Sequence, residues 1–372
     1  MADPAPMIVL ASGGTGGHML PAVAVARALH KRGAEAIITS DARAVHHGVN
    51  AGIETVEIPS SQMLPGLAGK ARTALTIARG TWAARHVLKQ RKADAVMGFG
   101  SYASLPTCFA ARVCGLPLML HAQDAVIGRA NRLLAPNACL ITSNFPTMEK
   151  MPGESRNMIV QTGNPVRADI AALREQPIPE ISDSGPISIL VVGGSQGAKV
   201  FASVIPAALS VLPEQIRARV QLSLQVPEAE VEQTKTELDK LDLAGATVSH
   251  FFTDMAERIG AAHLVIGRAG ATFAELCLAG RAAIYVPLPT SMDNHQAINA
   301  TMLQQAGCGW HMPESDLTAE SLAAKLEQLF TDPAQIMTAA RQARQFQQPD
   351  AADRVAEAIL DTLASLQTSP AT

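Results

Sequence analysis

Aromatic side chains make up only 3% of this 372-residue chain. Proteins that grip single-stranded nucleic acid stack bases on aromatic rings, so the scarcity argues against such a surface. Charge is low as well: 17% of residues are charged and the formal net charge is −3. Duplex binding draws on a strongly basic domain, and no nucleic-acid partner is expected. The five cysteines (Cys108, Cys114, Cys139, Cys277, Cys308) form no C-x-x-C pair and no Cys/His set with zinc spacing. An odd, scattered set of thiols suits a reducing cytosol. The first residues, Met1-Ala2-Asp3-Pro4-Ala5-Pro6, contain no basic stretch leading into an apolar one, which predicts no secretory leader. No apolar run approaches the ~20 residues that cross a bilayer. Two further absences bear on phosphate chemistry. There is no G-x-x-x-x-G-K-[ST], which excludes a P-loop nucleotidase, and no D-x-D triplet to bridge a nucleotide diphosphate through a metal.

What remains is a globular composition, 48% apolar, long enough for two cores. Apolar β-rich runs alternate with helix-period runs. Strands are predicted at Met7–Ala11, 35–39, 54–58, 94–98, 117–121 and 138–142, with a helix over 20–32 stopped by Gly33. This alternation predicts a parallel sheet covered on both faces. Residues 174–186 are rich in Pro, Ser and charge and read as an exposed connection. The pattern then restarts with Ile187–Val192 and strands near 219–225, 246–251, 264–267 and 282–287.

The restart matches the beginning. Ala11-Ser12-Gly13-Gly14-Thr15-Gly16-Gly17 aligns without gaps with Val191-Val192-Gly193-Gly194-Ser195-Gln196-Gly197. Each is strand, glycine turn, helix. The fold class is therefore α/β, with two Rossmann-like halves over 1–168 and 185–348 expected to face a shared central cleft. An Ala/Leu/Val helix within 349–372 is expected to pack back on a domain surface.

Glycines after a strand let backbone N–H groups approach an anion, and the helix that follows adds its positive end. Both loops have this chemistry, or else are tight turns without a ligand. Gly163-Asn164-Pro165-Val166-Arg167 adds a cation near the domain joint. Gly98-Phe99-Gly100-Ser101-Tyr102-Ala103 fits a loose G-x-G-x-x-A, but no acidic residue stands about twenty positions on at a strand end, so a dinucleotide site there is weakly supported. Arg268-Ala269-Gly270-Ala271-Thr272-Phe273-Ala274-Glu275 follows a strand and opens a helix. A carboxylate at Glu275 can accept from both hydroxyls of a ribose, or simply favour the helix dipole. Asp293-Asn294-His295-Gln296 follows another strand, where it can meet sugar hydroxyls or cap a helix.

The ordered set GGTGGH (13–18), GFGSYAS (98–104), GNPVR (163–167), VVGGSQGA (191–198), FFTDM (251–255), RAGA…AEL (268–276) and DNHQAINA (293–300) resembles the MurG family of transferases over nearly the whole chain. The resemblance implies a GT-B fold and an inverting transfer of N-acetylglucosamine from UDP-N-acetylglucosamine to the MurNAc 4-hydroxyl of undecaprenyl-linked lipid I, in peptidoglycan synthesis. No cofactor and no metal are implied. On the donor side it implies Phe252 framing the uracil, partly through its backbone, and Glu275 holding the ribose. Ser195 would take the diphosphate, and Ala271 and Gln296 the sugar, with Thr272 also on the donor side and Arg167 near the cleft. The Thr15-Gly16-Gly17 loop would border the reacting centre, touching donor and acceptor diphosphate alike. The acceptor side would include Gly14, Tyr102, His121, Asp124 and Asn131. An inverting transfer needs a base, and His18, which ends the glycine loop, is the candidate; the alternative is that it only positions the loop or binds phosphate.

Two local departures stand out. Where the family has H-E-Q-N this chain has His121-Ala122-Gln123-Asp124, which removes one carboxylate and adds a charge expected to repel an acceptor diphosphate. The loop before Glu275 is one residue short, which is expected to shift the ribose contact.

From Ile58 to Ala93 there is no acidic residue, while Lys70, Arg72, Arg79, Arg85, Lys89, Arg91 and Lys92 interleave with Leu64, Leu67, Leu75, Ile77, Trp82, Val87 and Leu88. This fits a helix lying on an anionic membrane surface, or an ordinary amphipathic helix covering the sheet. With a lipid-linked acceptor, peripheral attachment to the cytoplasmic face of the bacterial inner membrane is expected. Two other functions share parts of this pattern: a UDP-sugar 2-epimerase of like architecture, and a weakly active paralogue that binds UDP-sugar or lipid.

Overall fold

The computed structural model describes residues 5–14, 16–194 and 197–368. It divides into two compact units: residues up to Arg167 together with Asp350 onward, and Ala168–Pro349.

The N-terminal unit holds a seven-stranded sheet of β1 (Met7–Ala11), β2 (Glu35–Ser40), β3 (Thr55–Glu57), β4 (Ala95–Gly98), β5 (Leu118–Ala122), β6 (Leu140–Ser143) and β7 (Ile159–Gln161). All pairings are parallel, in the order β3-β2-β1-β4-β5-β6-β7. Alternation along β1 sends Ile8 and Leu10 into one core and Val9 and Ala11 into the other, so both faces are buried. That is why the strands read as continuous apolar runs.

One face is covered by the helix Gly16–Lys31 and by the last helix, Ala351–Thr368. Val355, Ala356, Ile359 and Leu363 of that last helix join the same apolar cluster as Met19, Val23 and Leu29. An Arg32–Asp353 ion pair closes the contact at the surface. The other face is covered by the helix Ser101–Cys114 and, outside it, by the 25-residue helix Gly66–Gln90. Gly80 permits that packing: a Cβ there would lie 2.0 Å from the Pro59 carbonyl oxygen and 3.0 Å from Pro106.

The second unit repeats the design with six parallel strands: β8 (Ile187–Val192), β9 (Val220–Gln225), β10 (Gly245–Ser249), β11 (Leu264–Gly267), β12 (Ala282–Tyr285) and β13 (Gly309–His311). Their order is β10-β9-β8-β11-β12-β13. Numbered within each unit, both sheets begin 3-2-1-4-5-6, the Rossmann order. In each, the chain reverses direction across the sheet between the first and fourth strands. Loops leaving the carboxyl ends of β1 and β4, and of β8 and β11, therefore flank the switch points where such sheets bind ligands.

The structure differs from the sequence reading at three places. The first helix begins at Gly16, not residue 20. Strands β7 and β13 were not foreseen; each has three residues and lies at a sheet edge, too short to show a period.

Candidate active site

Glycine shapes the first switch point. Gly14 has φ +83°, and a Cβ there would sit 2.7 Å from Ser101 Oγ. Its N–H donates to Asp41 Oδ1 at 3.1 Å, and the buried Asp41 carboxylate also accepts from Arg43 Nε at 2.7 Å. Gly14 is thus tied to the end of β2, and its amide is committed to a carboxylate. The amides that follow differ. Gly16, Gly17 and His18 form the first turn of their helix, where backbone N–H groups have no intrahelical acceptor and the dipole is positive.

His18, half-buried, projects toward the turn after β4. Its Nδ1 lies 2.9 Å from the Phe99 carbonyl oxygen and 2.8 Å from the Gln123 side-chain amide. Gly100, at φ +87°, makes room: a Cβ there would be 3.4 Å from the imidazole. Gly98–Gly100 is therefore the second wall of this site rather than a dinucleotide loop. Phe99 and Gln123, to which the sequence reading gave no role of their own, meet His18, and Asp41 holds the nearby Gly14. The usable signal was position: Phe99 and Gln123 each follow a strand beside the switch point.

His121 and Asn131, expected on the acceptor side, are internal. His121 is 1% exposed; its Nε2 is 3.0 Å from Asn164 Oδ1 and its Nδ1 2.9 Å from Thr142 Oγ1. Burial pushes its pKa down to about 4, outweighing the hydrogen bond to Asn164, with His18 lowering it further. The ring is a neutral pin among the ends of β5, β6 and the Gly163–Arg167 segment. Asn131 is 4% exposed and donates from Nδ2 to the His121 carbonyl at 2.8 Å. Tyr102 is half-buried at the start of its helix, packed on the core, and Asp124 is half-buried just past β5. Ala122 is buried. Arg167 is the last residue of the N-terminal unit before the chain crosses. Thr15 and Ser195 lie outside the described residues.

In the second unit, Ala271 precedes and Thr272 opens the helix Thr272–Ala279, and Glu275 lies in its first turn, half-buried. Arg268 fixes this turn: its guanidinium donates to the Val286 and Pro287 carbonyls, both at 3.2 Å, and pairs with Glu314 at 2.5 Å. Asn299 Nδ2 donates to the Ala269 carbonyl at 3.0 Å. Gln296 Oε1 accepts from the Leu288 N–H at 2.9 Å, while a Cβ on Gly270 would be 3.6 Å from its Nε2. The turns after β11 and β12 are thus stitched together. Asp293 and Asn294 hold φ +55° and +59° before the helix His295–Gln305, with no side-chain cap bond from Asn294. Such conformations cost side-chain-bearing residues energy and cluster at ligand sites.

Phe252 lies between β10 and the helix Met255–Ala261. Its ring is 5% exposed and lies under Arg258, whose Cζ is 4.1 Å from the ring centroid. Arg258 is held by Asp254 Oδ1 at 2.9 Å and Ser223 Oγ at 2.7 Å. The Phe252 ring packs inward against Arg258. The exposed ring is Phe251.

Two parallel Rossmann-like domains with glycine loops at their switch points define a GT-B fold. Residues 8–141 match the glycosyltransferase family 28 N-terminal domain, and residues 188–355 its C-terminal domain. The UDP-N-acetylglucosamine--N-acetylmuramyl-(pentapeptide) pyrophosphoryl-undecaprenol N-acetylglucosamine transferase of Rhodospirillum centenum is 44% identical over 95% of this chain and 93% of its own. The crystal structure of Acinetobacter baumannii MurG is 30% identical, with TM-score 0.78 over 96% of this chain and 99% of that one. A putative UDP-N-acetylglucosamine 2-epimerase from Listeria monocytogenes shares the fold alone, at 14% identity and TM-score 0.68 over 98% of both chains. The chain therefore belongs to glycosyltransferase family 28, and within it to the MurG group.

Proposed function

We propose that this enzyme moves N-acetylglucosamine from UDP-N-acetylglucosamine to the 4-hydroxyl of MurNAc in undecaprenyl-linked lipid I, with inversion, as a step of peptidoglycan synthesis. The observation that carries this reading is His18, held by the Phe99 carbonyl at the first turn of a switch-point helix, in a chain 44% identical to a transferase of that name. The acceptor hydroxyl attacks the anomeric carbon opposite the UDP oxygen. The new C–O bond forms as the old one breaks, and the hydroxyl proton passes to a base. A carbonyl oxygen only accepts, so the Phe99 contact puts a proton on Nδ1 and leaves the lone pair on Nε2. His18 is then a competent base, and its imidazolium keeps the Phe99 bond.

The departing diphosphate is met by the Gly193–Gly197 loop, including Ser195, and by the start of the helix Lys199–Val211. Glu275 receives the ribose hydroxyls, and Ala271, Thr272 and the Gln296 Nε2 meet the sugar. The Phe252 backbone frames the uracil. Thr15, Gly16, Gly17 and Arg167 border the reacting centre. Gly14, Tyr102 and Asp124 line the acceptor side, where His121 and Asn131 act by support.

The acceptor's lipid brings the enzyme to the cytoplasmic face of the inner membrane. Supporting this, the helix Gly66–Gln90 exposes Leu67, Leu75 and Trp82 among Lys70, Arg72, Arg79 and Arg85, while Thr73, Gly80, Ala84 and Leu88 face inward. Among the described residues no helix is long and apolar enough to cross a membrane.

The test is incubation with labelled UDP-N-acetylglucosamine and a short-chain lipid I analogue. Label is expected in the lipid product. Binding of UDP-sugar without transfer sinks the reading, and a wild-type rate from His18→Ala sinks the base assignment.

A further inference from the structure

His18 Nδ1 has two neighbours at hydrogen-bond distance: the Phe99 carbonyl oxygen at 2.9 Å and the Gln123 amide at 2.8 Å. The first fixes the second. A nitrogen that donates to Phe99 carries a hydrogen and cannot accept from an amide N–H. With Gln123 Nε2 facing it, the two groups would meet donor to donor. Turned over, the amide presents Oε1, and one Nδ1–H is shared between two acceptors. The outer end of the amide does not oppose this choice: the buried Oε1 has no hydrogen-bond partner where it stands, so that end favours neither orientation. Oxygen and nitrogen of an amide are assigned by such networks.

Gln123 is 8% exposed and follows β5, which His121 pins from within. Its reach to His18 therefore rests on a rigid strand end rather than a loose loop. We propose that Gln123 is a positioning residue for His18: its side-chain oxygen and the Phe99 carbonyl together hold the ring proton on Nδ1, keeping the Nε2 lone pair for the acceptor hydroxyl. The inference rests on His18 being the base. It assigns to a neutral amide and a carbonyl the orienting part that a carboxylate plays beside a catalytic histidine. A neutral partner suits a site that receives a diphosphate, since a second buried carboxylate there would repel it. Among the ionisable groups, His121 on β5 acts electrostatically with His18, Asp124 follows Gln123 in the chain, and the Asp41–Arg43 pair holds the Gly14 amide.

The test combines imidazole 15N NMR with kinetics of the full-length protein, using His18→Ala to assign the His18 resonances. The wild type is expected in the Nδ1–H form near neutral pH. Gln123→Leu is expected to lose that preference and lower kcat by roughly tenfold or more, with the KM for UDP-N-acetylglucosamine unchanged. Gln123→Glu keeps the shape and adds charge beside Nδ1–H. It is expected to retain the tautomer and to move the acid limb of the kcat/KM profile to higher pH, because the imidazolium is stabilised. A wild-type Nε2–H form, or a Gln123→Leu protein with unchanged tautomer and kcat, overturns the proposal. If those variants are silent while His18→Ala is inactive, Gln123 loses its role and His18 keeps its own. A fully active His18→Ala removes both.

Discussion

Burial separates the two histidines of the N-terminal unit that the sequence placed near the acceptor. His18 is half-buried, with Nδ1 at hydrogen-bond distance from the Phe99 carbonyl; His121 is enclosed and held on both ring nitrogens. The difference gives His121 a pH signature. Its folded pKa of about 4 lies below the ordinary 6.5, so the unfolded chain binds the extra proton first. Its contribution is fully present above about pH 6.5 and is lost as pH falls toward 4, on the order of 3 kcal/mol in all. Thermal denaturation of wild type and His121→Gln across that window is the check: the variant is expected to be less stable at pH 7 and to lose less on acidification. Parallel curves would contradict this. Asp124 invites the opposite kind of change. A carboxylate facing an acceptor diphosphate is a repulsion, and Asp124→Asn is expected to raise kcat/KM for the lipid acceptor about threefold to tenfold, the worth of one screened charge pair. An unchanged acceptor dependence would remove the argument.

At the scale of elements, the central strands were the most legible because both faces of each sheet are buried there and those strands are apolar runs. The start of the first helix was not. Glycines and a histidine in its opening turn read as loop, although those amides are the part that can face an anion. The Gly98–Gly100 turn was visible in the sequence, where a dinucleotide site was only weakly supported. Its meaning comes from lying next to the Gly13–Gly17 loop across the β1–β4 pairing, which no local pattern reports. Phe252 and Phe251 could not be told apart by type; the stacking of Arg258 decides which ring packs inward. In the helix Gly66–Gln90 one face packs and another is exposed, so the membrane reading of its basic, apolar stretch stays a proposal. Replacing Leu75 and Trp82 with Glu is expected to lower binding to anionic phospholipid vesicles at least tenfold in a sedimentation assay, with UDP-N-acetylglucosamine affinity unchanged. Equal sedimentation of variant and wild type would remove the membrane reading of this helix.

Over the whole molecule, one strand order serves two units, and the sequence announced this through the gapless match of residues 11–17 with 191–197. The return of the last helix to the N-terminal unit buttresses the helix that carries His18, the proposed base. Fold alone does not separate a transferase from an epimerase, since both share this architecture. Chemistry at the anomeric carbon does. The most direct measurement is proton NMR of the products formed from UDP-N-acetylglucosamine and a water-soluble lipid I analogue. The account predicts UDP and a disaccharide with a β-linkage to the 4-position of MurNAc, absent from a His18→Ala reaction. An α-linkage, UDP-N-acetylmannosamine, or an unreacted mixture would contradict it.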